Sequence, residues 1–355
     1  MNETLSKLIA ALPRSMPAQL DHVAEHNLLA LTVPVELGGR GWLMADAVAL
    51  TFAMARRNGS AGLTYAMHGA QLHSWAAHVK GNAYLADQMR DLIATRRLVA
   101  SVVSEPQTGG NIHTATATLG AEKGNILHKT TSNTSYVPQA GAFLVTAMDV
   151  AGAKPVQRLV MVRADATTAR EVRRNSLMGM NDICNAAWDF SFAYPPDAVF
   201  ADPFGSIASA SMTPATHLLW AATWSGLAAR ALETGHAFAR TELPPDLAAQ
   251  MQVKLSELRN KHYALNALIR DNLAPATNPF AAAANTNRLK IMASQWASEI
   301  AQGCLTLIGL RAYAEDGPFS LAEVVRDSLS GPLMVANGRL QGNTAGIDRY
   351  SEDHP

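Results

Sequence analysis

Few side chains in this sequence could do acid–base or nucleophilic work, and their positions are unusual. His217 is the one ordinary base inside a long stretch, Pro203 to Ala229, that holds no charged residue. A histidine with a pKa near neutrality can move protons, but a lone one in an uncharged helix is more often a core residue or an interface contact. No Asp or Glu occurs between Phe204 and Leu232, or between Ser328 and Ile347. Cys184 and Cys304, expected on a strand and on a helix, are the only cysteines, and no CxxC or Cys/His spacing accompanies them. No zinc or iron–sulfur site follows from such a pair, and none is expected. The segment SVVSEPQTGG, Ser101 to Gly110, is an apolar strand pattern that ends in a hydroxyl, a carboxylate, a proline and two glycines. Trp220, Trp224 and Trp296 are read as core, or as the lining of an acyl or aromatic pocket.

The elements that must position these residues fall into three zones. Residues 1–98 are Ala/Leu-rich and break at Pro34 and at the glycines of VPVELGGRG, as short helices joined by turns do. Residues 99–202 change character: LVASVVS, AFLVTAM and RLVMVR are short apolar runs, and Trp188, Phe190 and Phe192 alternate with smaller or polar residues. Residues 203–355 show three long helical patterns, with Met251, Leu255, Leu258, Leu265 and Leu268 on one face of the second. The third repeats this with Met292, Trp296, Ile300, Cys304 and Leu307. Pro244 with Pro245, and Pro275 with Pro279, separate them, and the segment after Ala336 is expected to supply a fourth helix, Gly331 and Pro332 breaking the chain before it. The fold class predicted is α+β and multidomain: an N-terminal helical domain, a middle β-barrel or sandwich domain, and a C-terminal four-helix bundle.

Of the 355 residues, 16% are charged and 48% apolar, a charged share well below the roughly 25% of an average soluble domain. So little charge points to subunit interfaces. With 29 basic and 29 acidic side chains the net charge is zero, which removes the electrostatic footprint that nucleic-acid binding needs. The polar side chains Ser206, Ser209, Ser211, Thr213, Thr216 and His217 in the uncharged stretch, with Pro214, suit a buried bundle helix better than a membrane span. The N-terminal apolar stretch is short and broken by Pro13 and Arg14, so no signal peptide and a cytoplasmic location are expected.

Five strings in order resemble the acyl-CoA dehydrogenase superfamily: VPVELGGRG (Val33 to Gly41), NGSAGLTYAMH (Asn58 to His68), SEPQTGGN, LMGMND (Leu177 to Asp182) and IGLRAYAEDGPFSLAEVVRDS (Ile308 to Ser328). The resemblance spans essentially the whole chain and implies FAD, held with Val103 and Ser104 at the pyrimidine and N5 side of the isoalloxazine. It further implies Ser132 and Asn133, within KTTSNT, on a second flavin-facing strand. Arg240 stands where the family's arginine reaches the pyrophosphate, a task suited to a bidentate and permanently charged group. Asn337 replaces a usual threonine, as a cofactor contact or a helix cap, while Glu105 corresponds to a structural carboxylate and Asp327 with Arg326 to a bundle pin.

The sequence also departs from that family. The common catalytic glutamate falls on Val335 and the alternative base position on Thr216, next to His217, and neither residue can remove a proton. ARTELPP, Ala249 and Leu310 depart from the pattern around the adenosine-pyrophosphate part. Three functions are therefore expected: a flavin-dependent oxidoreductase acting on an acyl thioester or related small acyl compound, with hydride transfer to flavin N5; a flavin-dependent monooxygenase; or a noncatalytic subunit of a hetero-oligomeric dehydrogenase. An electron-transfer partner and a homodimer or homotetramer accompany the first.

Overall fold

The computed structural model describes residues 3–108, 112, 114–120, 125–274 and 278–353. Gly109, Gly110, His113 and Pro275 lie outside them. The chain opens with five helices: α1 (Glu3–Ala10), α2 (Met16–Glu25), α3 (Met44–Arg57), α4 (Gly59–Ala77) and α5 (Ala83–Ala94). Asn58, extended between α3 and α4, ends one helix and starts the next, its side-chain oxygen accepting the Ala61 N–H at 2.8 Å. That is the capping role for which asparagine is favoured.

Among the described residues six strands follow: β1 (Leu98–Val102), β2 (Ile126–Ser135), β3 (Ala140–Asp149), β4 (Val156–Arg163), β5 (Thr167–Arg174) and β6 (Asn185–Ala193). They form two three-stranded sheets, β1-β3-β4 and β2-β6-β5; β1 runs parallel to β3 and the other pairs are antiparallel. The sheets face each other through Phe143, whose ring lies 5.7 Å from Phe190 and 5.8 Å from Phe192. The predicted β domain is a sandwich, and alternation along β6 sets its inner face. The edge strand β5 is largely exposed and arginine-rich, which discourages pairing with other chains. Cys184 sits one residue before β6 rather than in a strand, because ladder pairing begins at Asn185.

The C-terminal zone contains α6 (Phe204–Ile207), a π turn (Ala208–Met212), α7 (Thr213–Glu242), α8 (Pro245–Asp271), α9 (Pro279–Ile308), α10 (Leu310–Tyr313), α11 (Ala322–Ser328) and α12 (Asn337–Asp353). Helix α7 packs against α8 and α9 and also against α3 and α4. It is therefore buried on nearly every side, which accounts for the uncharged stretch. Helix α12 covers α9 as the fourth long member. No helix among the described residues is long and apolar enough to cross a membrane. The π turn is pinned to the end of α4: Ser211 Oγ lies 2.8 Å from Ser74 Oγ and 3.1 Å from His78 Nε2, and His78 Nδ1 is 2.6 Å from Asp202.

All three zones meet at Asp327 of α11, which is 3% exposed. Its Oδ1 accepts the Met180 N–H from the loop before β6 at 2.5 Å. Its Oδ2 stands where a Cβ on Gly59, at the start of α4, would approach to 2.5 Å, so any larger residue there would collide with the carboxylate. Beside it Asn58 Nδ2 donates to Asp182 at 2.8 Å. Burial pushes the Asp327 carboxyl up to about 6, against the pull of the Met180 N–H. A carboxyl pKa raised by folding means that the folded state binds the proton more tightly. Its contribution favours folding below the ordinary value near 4 and is lost as pH rises to about 6. Asp327→Asn cannot titrate. The stability of the native protein relative to that variant should therefore fall by up to about 3 kcal/mol between pH 4 and 6.5, read from urea midpoints at the two pH values.

Candidate functional site

The end of β1 and the middle of β2 meet to form a polar edge. Ser104 Oγ donates to the Asn133 carbonyl at 3.4 Å, and the Val103 carbonyl accepts from Thr146 Oγ1 at 3.4 Å. The β2 ladder skips from Thr131 to Thr134, leaving Ser132 and Asn133 as an exposed bulge. Bulges re-aim side chains and recur beside functional sites. Thr134 Oγ1 bridges the bulge by donating to Thr131 Oγ1 at 2.9 Å. Asn175 Nδ2 donates to the Ser132 carbonyl at 3.1 Å and to Asn133 Oδ1 at 2.9 Å. Nothing in the sequence pattern marked Asn175, which reaches the bulge only through the fold.

Under this edge lies a buried ion pair. Lys129 Nζ is 2.8 Å from Glu105 Oε1, and both side chains are at most 1% exposed. Glu105 also accepts from Thr116 N–H and Oγ1, both at 2.6 Å, while Lys129 donates to the Thr146 carbonyl at 2.7 Å and Oγ1 at 2.9 Å. Burial pushes the Glu105 pKa up, but the hydrogen bonds from Lys129 and Thr116 outweigh it and hold the carboxyl below its usual range. Burial pulls the Lys129 ammonium down, partly offset by Glu105. Glu105 thus fastens the loop after Ser104 to the strand that carries Ser132 and Asn133, the structural role expected of it.

A second cluster surrounds Val335, on which the family's base position falls in the resemblance. Val335, 38% exposed, has a left-handed backbone (φ 50°) just before α12. Its carbonyl accepts from Lys290 Nζ at 3.1 Å, and the same ammonium donates to the Gly331 carbonyl at 3.0 Å and to Asn337 Oδ1 at 2.7 Å. Asn337 Nδ2 in turn donates to Ser294 Oγ at 3.1 Å. Lys290 is fully buried, 5.7 Å from the Trp224 ring, and burial pulls its pKa down to about 8. His217 is 2% exposed; one ring nitrogen bonds the Thr286 backbone, and Nδ1 has no partner. Burial, then the Lys290 charge, lowers its pKa to about 4. At neutral pH the cluster therefore holds a neutral imidazole and an ammonium, and no carboxylate among its named side chains. Lys290 sits within an apolar helical pattern, and nothing in its type or spacing marks it.

The fold thus brings Val103, Ser104, Ser132 and Asn133 together, and separately groups Val335 and Asn337 around Lys290, whose charge reaches His217. Arg240 joins neither group. It is exposed in the last turn of α7, 23 residues beyond His217, or about 35 Å along a helix. Near it Arg311 is paired with Glu242 and lies over the Phe238 ring, and Leu310 is 82% exposed. Among the described residues no three His, Cys, Asp or Glu side chains are grouped to hold a metal ion.

Solved structures share this architecture. Dibenzothiophene monooxygenase (TdsC) from Paenibacillus sp. A11-2 is 16% identical with a TM-score of 0.76, covering 99% of this chain and 96% of its own. Butyryl-CoA dehydrogenase from Megasphaera elsdenii is 15% identical with a TM-score of 0.77, covering 98% of each chain. KijD3, solved with FMN and a dTDP-amino-keto sugar, is 22% identical with a TM-score of 0.74, covering 97% of this chain and 91% of its own. No protein-family model and no curated protein sequence matches the chain. The chain has the acyl-CoA dehydrogenase fold, and at these identities the likeness is one of fold.

The ion pair under the edge generates a direct test. Removing one partner leaves a buried charge uncompensated, at a cost of about 3–5 kcal/mol. Lys129→Met and Glu105→Gln should each destabilise by about that much in urea unfolding. Their double variant should lose clearly less than the two losses added together, because the pair acts as a unit.

Proposed function

We propose that this chain is a flavin-dependent monooxygenase, using reduced flavin and dioxygen on the acyl-CoA dehydrogenase fold. The observation that carries the reading is the Lys290–Val335 contact. Abstraction of an α-proton from an acyl thioester needs a carboxylate at the reacting carbon, and here that position is a valine whose carbonyl is bound by a buried ammonium. His217, with its pKa near 4, is too weak a base at neutral pH to replace it.

The donor set at the strand ends suits a flavin ring. Two hydroxyls and a carboxamide, from Ser104, Ser132 and Asn133, adjoin one another on neutral, partly open backbone, a composition that matches the polar edge of an isoalloxazine rather than a phosphate. When bound, reduced flavin supplies the electrons for oxygen activation. Val103, Ser104 and the Ser132–Asn133 bulge would hold the ring edge, and the Glu105–Lys129 pair keeps both segments in register. The ring is common to FAD, the family cofactor, and to FMN, present in the solved TdsC and KijD3 complexes. The presence of dibenzothiophene monooxygenase among the structures of this fold supports the reading. In the FAD reading Arg240, exposed in the last turn of α7, would hold the pyrophosphate, and Asn337, bonded to Lys290, would act on the ring through that network.

Flavin binding and chemistry are tested separately. In fluorescence titrations Ser104→Ala should weaken FMN and FAD alike, by about five- to tenfold for one hydrogen bond, whereas Arg240→Ala should weaken FAD alone. Oxygen uptake that requires an added flavin reductase is the expected activity. Anaerobic bleaching of the bound flavin by an acyl-CoA would overturn the assignment in favour of a dehydrogenase. A colourless protein active only with a partner would overturn it in favour of a noncatalytic subunit.

A further inference from the structure

The end of α4 and the turn before α7 hold a cluster of side chains for which the flavin reading has no use. His78 caps α4, Asp202 lies just ahead of α6, and Ser211 sits in the π turn. These residues are 124 and 133 positions apart in the chain, yet they stand in one line: Asp202 Oδ2 is 2.6 Å from His78 Nδ1, and His78 Nε2 is 3.1 Å from Ser211 Oγ. Hydroxyl, imidazole and carboxylate are thus each within hydrogen-bond reach of the next, the arrangement in which a nucleophile meets its base and the base meets the group that orients it.

The carboxylate fixes the tautomer. It can only accept, so Nδ1 carries the hydrogen, and a neutral imidazole then presents the lone pair of Nε2 to Ser211. Ser74 Oγ, on a fully buried residue, lies 2.8 Å from Ser211 Oγ and supplies a donor to it. The Ser211 hydroxyl proton is left with two acceptors, Nε2 and the Ile207 carbonyl, both at 3.1 Å. The line runs inward from solvent: the Asp202 side chain is 54% exposed, that of His78 12%, and Ser211 7%. The π turn that carries Ser211 interrupts helix that otherwise runs from Phe204 to Glu242, and single π turns recur at functional sites.

We propose that Ser211 is a nucleophile toward small activated acyl esters, with His78 as its base and Asp202 as the residue that positions His78. Ser211 Oγ bonds to the carbonyl carbon while its proton passes to His78 Nε2. The bond from that carbon to the alcohol oxygen breaks, and the alcohol leaves with the proton. Water then attacks the acyl-serine through the same base, releasing the carboxylic acid and restoring the hydroxyl. The slight exposure of Ser211 limits the acyl group to a small one. This site shares no residue with the polar edge at Ser104 or with the cluster around Lys290.

The test is p-nitrophenyl acetate added to the full-length protein, with FMN and without it. Nitrophenolate should appear in a burst of about one per chain, the sign of an accumulating acyl-enzyme, and peptide mass spectrometry should find the acetyl group on Ser211. Ser211→Ala should lose both burst and adduct. His78→Ala should slow acetylation by about a hundredfold or more, and imidazole in solution should restore part of the rate, which no loss of packing would allow. Asp202→Asn should lower kcat with KM unchanged. Absence of acetyl from Ser211 in the native protein, acetyl on Ser74 instead, or a burst that persists in Ser211→Ala would each overturn the proposal. Failure of the flavin reading would leave all these readouts intact, since none passes through the flavin.

Discussion

The buried contact between Glu105 and Lys129 is the constraint on which the polar edge depends. Two opposite charges taken fully out of water are tolerated only when geometry and further hydrogen bonds compensate their desolvation, and here Thr116 and Thr146 supply those bonds. Lys129 lies on β2, Thr146 on β3, and Glu105 just beyond β1. One ion pair therefore couples both sheets of the sandwich. The loop after Ser104 cannot shift relative to the Ser132–Asn133 bulge without exposing or stranding a charge, and this holds the hydroxyls and carboxamide in a fixed arrangement.

Lys290 plays a comparable part in the bundle, by different means. Among the described residues it has no carboxylate partner; its ammonium donates to three oxygens of the segment from Gly331 to Asn337. That segment must turn sharply before α12, with Val335 in a left-handed conformation that costs a β-branched residue energy. The ammonium gathers the carbonyls that such a turn leaves without helical partners. The cluster around Val335 thus contains a cation, which also depresses the basicity of His217.

Asp327 links these two regions to the N-terminal helices. By accepting the Met180 N–H while lying against Gly59, it sets the sandwich, α4 and α11 against one another at a single buried carboxyl. Glycine at position 59 is dictated by this approach. The sequence places Asp327 beside Arg326, but the two act separately: Asp327 turns inward, while Arg326 pairs with the exposed Glu315.

Much was legible in the sequence because it depends on local periodicity and punctuation. The alternation of Trp188, Phe190 and Phe192 gives a strand with one inner face, the prolines at 244 and 245 separate two helices, and the chain after Ala336 is helical from Asn337. The absence of acid around Thr216 and Val335 is likewise a property of the sequence, since no fold can provide a carboxylate from residues that lack one. Tertiary structure alone decided what crosses between elements. Lys129 reads as one more polar residue on an alternating strand, Lys290 as an interruption of an apolar helix, and Asn175 as loop. Each acquires its role from partners 17 to 47 residues away, and such distances leave no periodic trace. Arg240 shows the converse: its residue type suits a phosphate, but the length of α7 carries it to the far end of the helix from His217, because a rigid helix fixes separation as firmly as packing fixes contact.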